Sequence, residues 1–378
     1  MWVKGIRLAD FRSYEQVEVE LTPGVTTFVG PNGQGKTNLV EAIGYVSILG
    51  SHRVATDAPL VRIGADRAVV GVEAVKDERA VLIELEINPG KANRARINRS
   101  AATRPKDVVG IVRTVVFAPE DLSLVKGDPS DRRRFIDDLL VQRSPRMLGV
   151  KADYDRILKQ RNALLKSASI ARRTNTDEMV RTLEVWDDQL CDVGADLVAA
   201  RVALVSELQP HLSAAYEVIA SDADSSTDAT MTYVTSLGGA ADLAASRAVW
   251  RDQLREGIEA RRKDELDRGL TLVGPQRDDL LFSLGAGPAK GYASHGESWS
   301  IALAARLASL DVLRSDGDDP VLILDDVFAE LDSARRRRLT QQVAGTQQVL
   351  ITAAVTEDVP RELVGRQLRV ARGTVTDD

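Results

Sequence analysis

With 378 residues, 44% apolar and 28% charged, and a formal net charge of −6, the chain has an ordinary globular composition and room for about two domains. The acidic balance excludes a wholesale basic coat, so nucleic acid would have to be met by local basic surface. A single cysteine, Cys191, excludes an internal disulfide, and His52, His211 and His295 are too scattered for a zinc site.

No run approaches the ~18 apolar residues of a membrane span. Met1 to Asp10 carries charges where a signal peptide needs an apolar stretch, so the expectation is a cytoplasmic protein without a membrane partner. Met1 to Leu8 and Val17 to Leu21 read as strands, and Pro23-Gly24 turns the chain into an apolar run, Val25 to Val29. Then comes Gly30-Pro31-Asn32-Gly33-Gln34-Gly35-Lys36-Thr37, followed by an amphipathic helical run from Asn38 to Ile48. Strand, glycine loop and helix in that order form a phosphate cradle: the glycines let backbone N–H groups close around phosphates, Lys36 reaches the β and γ phosphates, and the Thr37 hydroxyl ligates Mg²⁺. The dipole of the helix start adds to it. A plain glycine-rich turn between strand and helix is the competing reading.

Strand-like stretches follow at Arg67 to Val75 and Ala80 to Ile87, with a turn at Asn88-Pro89-Gly90. Next is a one-signed basic stretch, Lys91 to Arg113, with seven cations against the single acid Asp107, expected as a hairpin and loop. Arg94, Arg96 and Arg99 within it are candidate phosphate contacts for DNA. Arg132-Arg133-Arg134, Arg261-Arg262-Lys263 and Arg335 to Arg338 are basic too, but acids lie close by, and a solvated helix face explains each as well as a binding site does.

From Lys126 the texture changes. Asp131 to Arg143, Lys151 to Ser167, Asp177 to Leu208 and Leu243 to Asp267 have helical spacing, Ser221 to Thr230 reads as a loop, and Met231 to Ser236 as one short strand. Cys191 belongs to the apolar side of its helix as a structural thiol. Pro145 and Pro210 are expected to break the helices, giving a compact arm, not a long rod. Strands return with Leu270 to Val273 and Leu280 to Leu284, and a helix Ser298 to Arg314 starts after Ser294-His295-Gly296-Glu297. The apolar strand Val321 to Leu324 delivers Asp325 and Asp326, a strand at Gln348 to Thr352 follows, and a hairpin around Arg372-Gly373 closes the chain. The expected organisation is therefore a head half at 1–125, a helical arm at 126–268 and a second head half at 269–378.

An apolar strand ending in two carboxylates suits a Mg²⁺-dependent phosphate site: Asp325 would hold the metal, and Asp326 would orient or deprotonate the attacking water. Its distance in sequence from Lys36 requires a head assembled from both chain ends. Ser294 and Glu297 fit a capping box, and the same helix start with Gly296 fits a second anion site; the two readings are compatible.

These parts, in this order, resemble the RecF family of DNA replication and repair proteins, relatives of the structural-maintenance-of-chromosomes heads. The resemblance is carried by Gly30 to Asn38, Phe117-Ala118-Pro119-Glu120-Asp121-Leu122, Gly127 to Phe135, Gly274 to Leu280, Ser294 to Glu297, and Leu324 to Asp332. It implies an α/β P-loop NTPase of ATP-binding-cassette type with a split head and an inserted helical arm. It further implies a weak, DNA-stimulated ATPase using ATP and Mg²⁺ that dimerises on ATP, each nucleotide lying between the loop at Lys36 of one subunit and Ser294 to Glu297 of the other. Asp332 would belong to the loop that senses the opposite subunit. Duplex DNA near a gap would be gripped by the dimer, which with RecR and RecO would help load RecA. Gln276, Trp299 and Thr352 depart from the family pattern, the last standing where many cassette ATPases carry a switch histidine; with Asp326 one methylene shorter than the glutamate common in transporters, slow hydrolysis is expected. Two other readings are a chromosome-structural ATPase, disfavoured by the short, broken arm without a Cys-x-x-Cys hook, and a transporter ATPase subunit, disfavoured by the split head and the missing histidine.

Overall fold

The computed structural model describes residues 1–100, 103–171, 176–220 and 228–377. Residues 221–227 of the loop expected at Ser221 to Thr230 lie outside this set. In chain order the first elements are β1 (Trp2–Phe11), β2 (Tyr14–Glu20), β3 (Gly24–Val29), α1 (Lys36–Ile48), β4 (Ala68–Lys76), β5 (Arg79–Ile87), β6 (Arg94–Ile97), β7 (Thr114–Phe117) and α2 (Ser123–Lys126). Then come α3 (Pro129–Arg143), α4 (Arg146–Ala171), α5 (Thr176–Ala220), β8 (Ala229–Val234), α6 (Arg247–Arg268), β9 (Asp279–Leu284) and β10 (Gly287–Pro288). The chain closes with α7 (His295–Ser315), β11 (Val321–Asp325), α8 (Ser333–Val343), β12 (Gln348–Ala353), β13 (Arg366–Ala371) and β14 (Thr374–Asp377). None of the described helices is long and apolar enough to cross a membrane.

The chain divides into two compact units, one of Met1–Val125, His211–Asp228 and Ser294–Asp378, the other of Lys126–Pro210 and Ala229–Ala293. In the first, a five-stranded antiparallel sheet ordered β2-β1-β4-β5-β6 and a six-stranded sheet ordered β14-β13-β3-β12-β11-β7 share one core. Helix α1 has apolar residues on nearly every side, and Leu39, Val40, Ala42, Ile43, Tyr45 and Val46 are all buried in that core. A helix apolar all round needs cover all round, which two sheets supply. Strands β11 and β12 are buried at every residue, as central parallel strands are. Parallel pairing sets Asp325 opposite Thr352, and Thr352 opposite Phe28, so β11, β12 and β3 end side by side. The crevice beyond the carboxyl ends of parallel strands is where open α/β sheets place their ligands. The expected closing hairpin is β13 and β14, with Arg372 and Gly373 both at positive φ, as a two-residue hairpin turn requires.

The second unit is built on α3, α4, α6 and the Thr176–Pro210 stretch of α5, with a small sheet ordered β10-β9-β8. The unit boundary falls elsewhere than the expected residue 269: residues 269–293 stay with the arm because β9 pairs along the whole of β8, and Arg132 clamps Asp279 at 2.7 and 2.9 Å. Leu270 to Val273 forms no strand, because its backbone donors are taken by side chains of the arm helices, Thr271 N–H by Asn162 at 2.8 Å and Leu272 N–H by Glu265 at 2.7 Å. Pro145 separates α3 from α4 as expected, whereas Pro210 lies inside the 45-residue α5 without ending it. A proline removes one helical N–H bond, and here Leu204, Val205, Leu208, Leu212 and Tyr216 are buried on both sides of it. Arg161, fully buried, holds Asp187 and Glu265 at 2.6 Å each, so α4, α5 and α6 meet on a satisfied ionic cluster. Cys191 is buried, and burial pushes its thiol up to about 12, which makes it an inert packing group.

Candidate phosphate-loop site

The loop between β3 and α1 is shaped by its glycines. Gly33 and Gly35 sit at φ 78° and 108°, and a Cβ at Gly35 would lie 2.8 Å from the Tyr14 hydroxyl. A Cβ at Gly30 would lie 2.2 Å from the Val370 carbonyl oxygen. Three tethers hold the loop open at its rim: Tyr14 Oη donates to Gly35 O at 3.1 Å, Arg372 N–H to Gln34 Oε1 at 2.8 Å, and Asn38 Nδ2 to Ser13 Oγ at 2.9 Å. Lys36 is 3% exposed, and its ammonium folds onto Gly30 O at 2.8 Å, Pro31 O at 3.2 Å and Asn32 Oδ1 at 3.3 Å. All three partners are neutral oxygens, so a buried cation faces the hollow of the loop, the electrostatics an anionic phosphate group needs.

Residues far apart in sequence converge on a carboxylate beside the next residue, Thr37. Thr37 Oγ1 donates to Asp325 Oδ1 at 2.8 Å, and Thr352 Oγ1 donates to the same oxygen at 2.7 Å. The Thr352 hydroxyl in turn accepts from Asp326 N–H at 2.9 Å. One hydroxyl and one carboxylate, both hard oxygen donors, thus stand together beside the loop, which fits Mg²⁺ better than a softer ion. Asp326 adopts left-handed backbone at φ 50°, uncommon for a residue with a Cβ. Burial works to raise the Asp325 carboxyl, yet His52, Thr352 and Thr37 hold it below the ordinary range, whereas burial and then the charge of Asp325 push Asp326 up. The acidities of the two neighbouring carboxyls are thereby driven apart, Asp325 down and Asp326 up.

Sequence reasoning misses the part played by two of these groups. Thr352 stands out in the sequence only for the histidine it replaces, but the structure makes it the bridge between Asp325 and Asp326. His52, from the stretch after α1, puts Nε2 3.7 Å from Asp325 Oδ2. That stretch is pinned by Glu41, wholly buried on α1, which takes Arg12 at 2.5 and 2.9 Å, Arg53 at 3.3 Å and the Ser51 hydroxyl. A glutamate in the middle of an apolar helix is the signal that could have found it.

Ser294, Gly296 and Glu297 form the first turn of α7 and its cap. Both halves of the capping box are present, Glu297 N–H to Ser294 Oγ at 3.2 Å and Ser294 N–H to Glu297 Oε2 at 2.8 Å. Asp332 caps α8 through Arg335 N–H at 2.9 Å and also pairs with the Arg335 guanidinium. Among the described residues, no hydrogen bond or ion pair carries this cluster to Lys36, Thr37 or Asp325. Trp299, where a basic residue is common in the family, is buried at 3% exposure within α7. Asp121 of the Pro-Glu-Asp-Leu stretch is buried and holds Arg306 of α7 at 2.6 and 2.9 Å, so that motif anchors the helix. In the arm, Gln276 accepts from Tyr154 and donates to Val273 O at 3.1 Å.

The basic stretches separate by their partners. Arg132 pairs with Asp279, Arg133 donates to Asp278 O at 2.7 Å, Arg262 reaches Asp187 at 2.5 Å, and Arg336 donates to Phe328 O at 2.8 Å, so these stretches bond within the fold. Arg94 and Arg96 project exposed from the edge strand β6, and Arg99 sits exposed in a turn where Asn98 and Arg99 are both left-handed. Across the strands Arg94 faces Glu86 and Arg96 faces Glu84, with Arg94 4.0 Å from Glu86. With Arg67 they line a hollow of about 340 Å³ whose charge is mixed, not purely basic.

Comparison with known proteins gives one consistent picture. The family model described as the RecF/RecN/SMC N terminal domain matches residues 2–370. The chain is 59% identical over 376 residues to the DNA replication and repair protein RecF of Streptomyces avermitilis, covering 99% of each chain. It is 54% identical over 377 residues to that of Frankia alni, again covering 99% of each. Among solved structures, the recombination mediator protein RecF-ATP of the RecFOR pathway superposes with a TM-score of 0.89 at 25% identity, covering 100% of this chain and 97% of that one. An Smc head domain from Pyrococcus furiosus superposes with a TM-score of 0.52 at 15% identity, covering 99% and 95%, which is a likeness of fold.

Proposed function

The chain belongs to the RecF family, and on that premise we propose that it is an ATP-dependent DNA-binding protein of recombinational repair that closes into a homodimer on ATP. The observation that carries the reading is the meeting of Lys36, Thr37 and Asp325 from opposite chain ends, with Thr37 Oγ1 2.8 Å from Asp325 Oδ1. Lys36 would leave the loop carbonyls for the β and γ phosphates, while the backbone of Gly30 to Gly35 and the start of α1 bind the rest of the phosphate chain. Thr37 and Asp325 would hold Mg²⁺, which when bound neutralises charge on the phosphates. Asp326 would orient or deprotonate the attacking water, its backbone fixed by Thr352.

Ser294, Gly296, Glu297 and Asp332 would complete the nucleotide site of a second copy, since Ser294 and Glu297 bond each other and Asp332 bonds Arg335, none of them reaching the loop of its own chain. With no histidine at the Thr352 position and Asp326 one methylene shorter than a glutamate, hydrolysis would be slow and ATP would act mainly as the closure signal; membership of the family supports stimulation by DNA. The dimer would bind duplex DNA near single-strand gaps, with Arg94, Arg96 and Arg99 as phosphate contacts, and assist RecR and RecO in loading RecA. The test is molar mass by light scattering, alone, with ATP and Mg²⁺, and with gapped duplex added, for the wild type, Lys36→Met and Ser294→Arg. Mass should double only with ATP, and both variants should stay monomeric. A wild type that hydrolyses ATP as a monomer under every condition refutes the two-subunit site.

A further inference from the structure

The two groups assigned to the opposite subunit's nucleotide lie on different elements, the Ser294 to Glu297 turn on α7 and Asp332 at the head of α8. One side chain joins them. Arg335 donates Nε to Ser300 Oγ on α7 at 2.9 Å, gives its backbone N–H to Asp332 Oδ1 at 2.9 Å, and pairs its guanidinium with the Asp332 carboxylate. Its guanidinium also covers Gly296: a Cβ there would lie 2.9 Å from Nη2 and 3.3 Å from Cζ and Nη1. A side chain at 296 would thus push the guanidinium aside, so glycine there leaves room for a cation laid across the first turn of α7. Ser300 is fully buried and Arg335 only partly exposed, so the link is built into the packing and is not a loose surface pair.

We propose that Arg335 is a positioning residue that locks the Asp332 turn to the first turn of α7, so that Ser294, Gly296, Glu297 and Asp332 meet the second subunit as one rigid surface. The inference rests on the reading that these residues complete a partner's site. Without the lock, two elements would have to be ordered on closure where one rigid surface now docks, and that ordering would weaken association. Binding of ATP by the loop at Lys36 would be untouched, because the bonds of Arg335 run to α7 and the Asp332 turn.

The experiment uses the full chain as wild type, Arg335→Ala, Arg335→Lys and, as a control on the same helix, Arg337→Ala. Amide hydrogen exchange on the nucleotide-free protein reads the lock directly. Exchange at the bonded amides of the α7 start, Glu297 and Ser298, should rise about tenfold in Arg335→Ala, the size expected for losing a charge-assisted link. Arg337→Ala should leave it unchanged, and Arg335→Lys should fall between, since an ammonium can keep one partner but not the fork. With ATP and Mg²⁺, the protein concentration for half-dimerisation should rise about tenfold in Arg335→Ala, while affinity for a fluorescent ATP analogue stays within about twofold of wild type. Unchanged exchange at α7 in Arg335→Ala overturns the proposal even if dimerisation falls, because the defect then lies elsewhere. A wild type that dimerises on ATP beside an Arg335→Ala chain that dimerises equally overturns the inference alone. A wild type that never dimerises overturns the two-subunit site and the inference together.

Discussion

Thr352→Val keeps the shape of a side chain that is 2% exposed and removes only its hydroxyl. That hydroxyl donates to the buried Asp325 carboxylate at 2.7 Å and accepts from Asp326 N–H at 2.9 Å. A hydrogen bond to a charged group is worth about 1.5–3 kcal/mol, and a buried N–H left without its acceptor costs about 1–3 kcal/mol. No cavity opens, and Thr37 still bonds the same Asp325 oxygen, so the lower part of the summed range applies, about 3 kcal/mol. Thr352→Ser keeps both bonds and loses one methyl, about 1 kcal/mol. For a unit of this size ~1 kcal/mol moves the midpoint by roughly 2–4 °C. Calorimetry on the nucleotide-free protein should therefore put the serine variant a few degrees below wild type and the valine variant about 6–12 °C below it, in the transition of the unit that carries Thr352. Isothermal titration with ATP and Mg²⁺ should show weaker binding for valine than for serine. Equal midpoints for the two variants would refute the bridge, since the hydroxyl would then contribute nothing.

Two further outcomes follow from the site. Hydrogen bonds from the Ser294 side chain and backbone hold Glu297 below its ordinary value of 4.5, so the capping box contributes stability above that value and loses it as pH falls through the lower, folded one. In Ser294→Ala the NMR titration of Glu297 should move up toward 4.5, with fraying of the first turn of α7 beginning at higher pH; an unmoved titration sinks the assignment. Reversing Arg94, Arg96 and Arg99 together to Glu should weaken duplex binding and flatten its salt slope by about 0.9 for each DNA phosphate no longer neutralised. Among single reversals Arg99→Glu should cost most, because Arg94 and Arg96 face Glu86 and Glu84; unchanged affinity and slope in the triple variant would remove these residues from the DNA surface.

What the sequence made legible was local. The phosphate loop announces itself because glycines, lysine and threonine must occupy fixed positions along a few residues, and the flanking apolar runs give strand and helix periodicity. The Asp325-Asp326 strand end and the Ser294 capping box are readable for the same reason. What stayed hidden was set by partners far along the chain. Arg132 and Arg133 look like a basic patch until Asp279 and the Asp278 carbonyl are placed beside them. Leu270 to Val273 looks like a strand until the side chains of Asn162 and Glu265 take its N–H groups. Pro210 looks like a break until burial on both sides of it is known. His52 carries no motif at all; only the fixing of Glu41 by Arg12, Ser51 and Arg53 brings it to Asp325.

The sheet order explains why the site had to be inferred as a split one. In β14-β13-β3-β12-β11-β7, the two strands from the first third of the chain, β3 and β7, touch only strands from the last third. Strand β3, which feeds the phosphate loop, is flanked by β13 and β12, and β7 pairs with β11. Neither chain end can build this sheet alone, because β3 would have two open edges and no neighbour of its own half to close them. The register then does the chemistry's positioning: setting Phe28, Thr352 and Asp325 side by side brings Thr37, one residue into α1, within hydrogen-bond reach of a carboxylate 288 residues away. An arm inserted between β7 and β11 leaves that register intact, since the strands it separates are neighbours in space, and a long excursion between two paired strands adds little loop entropy once each end is fixed.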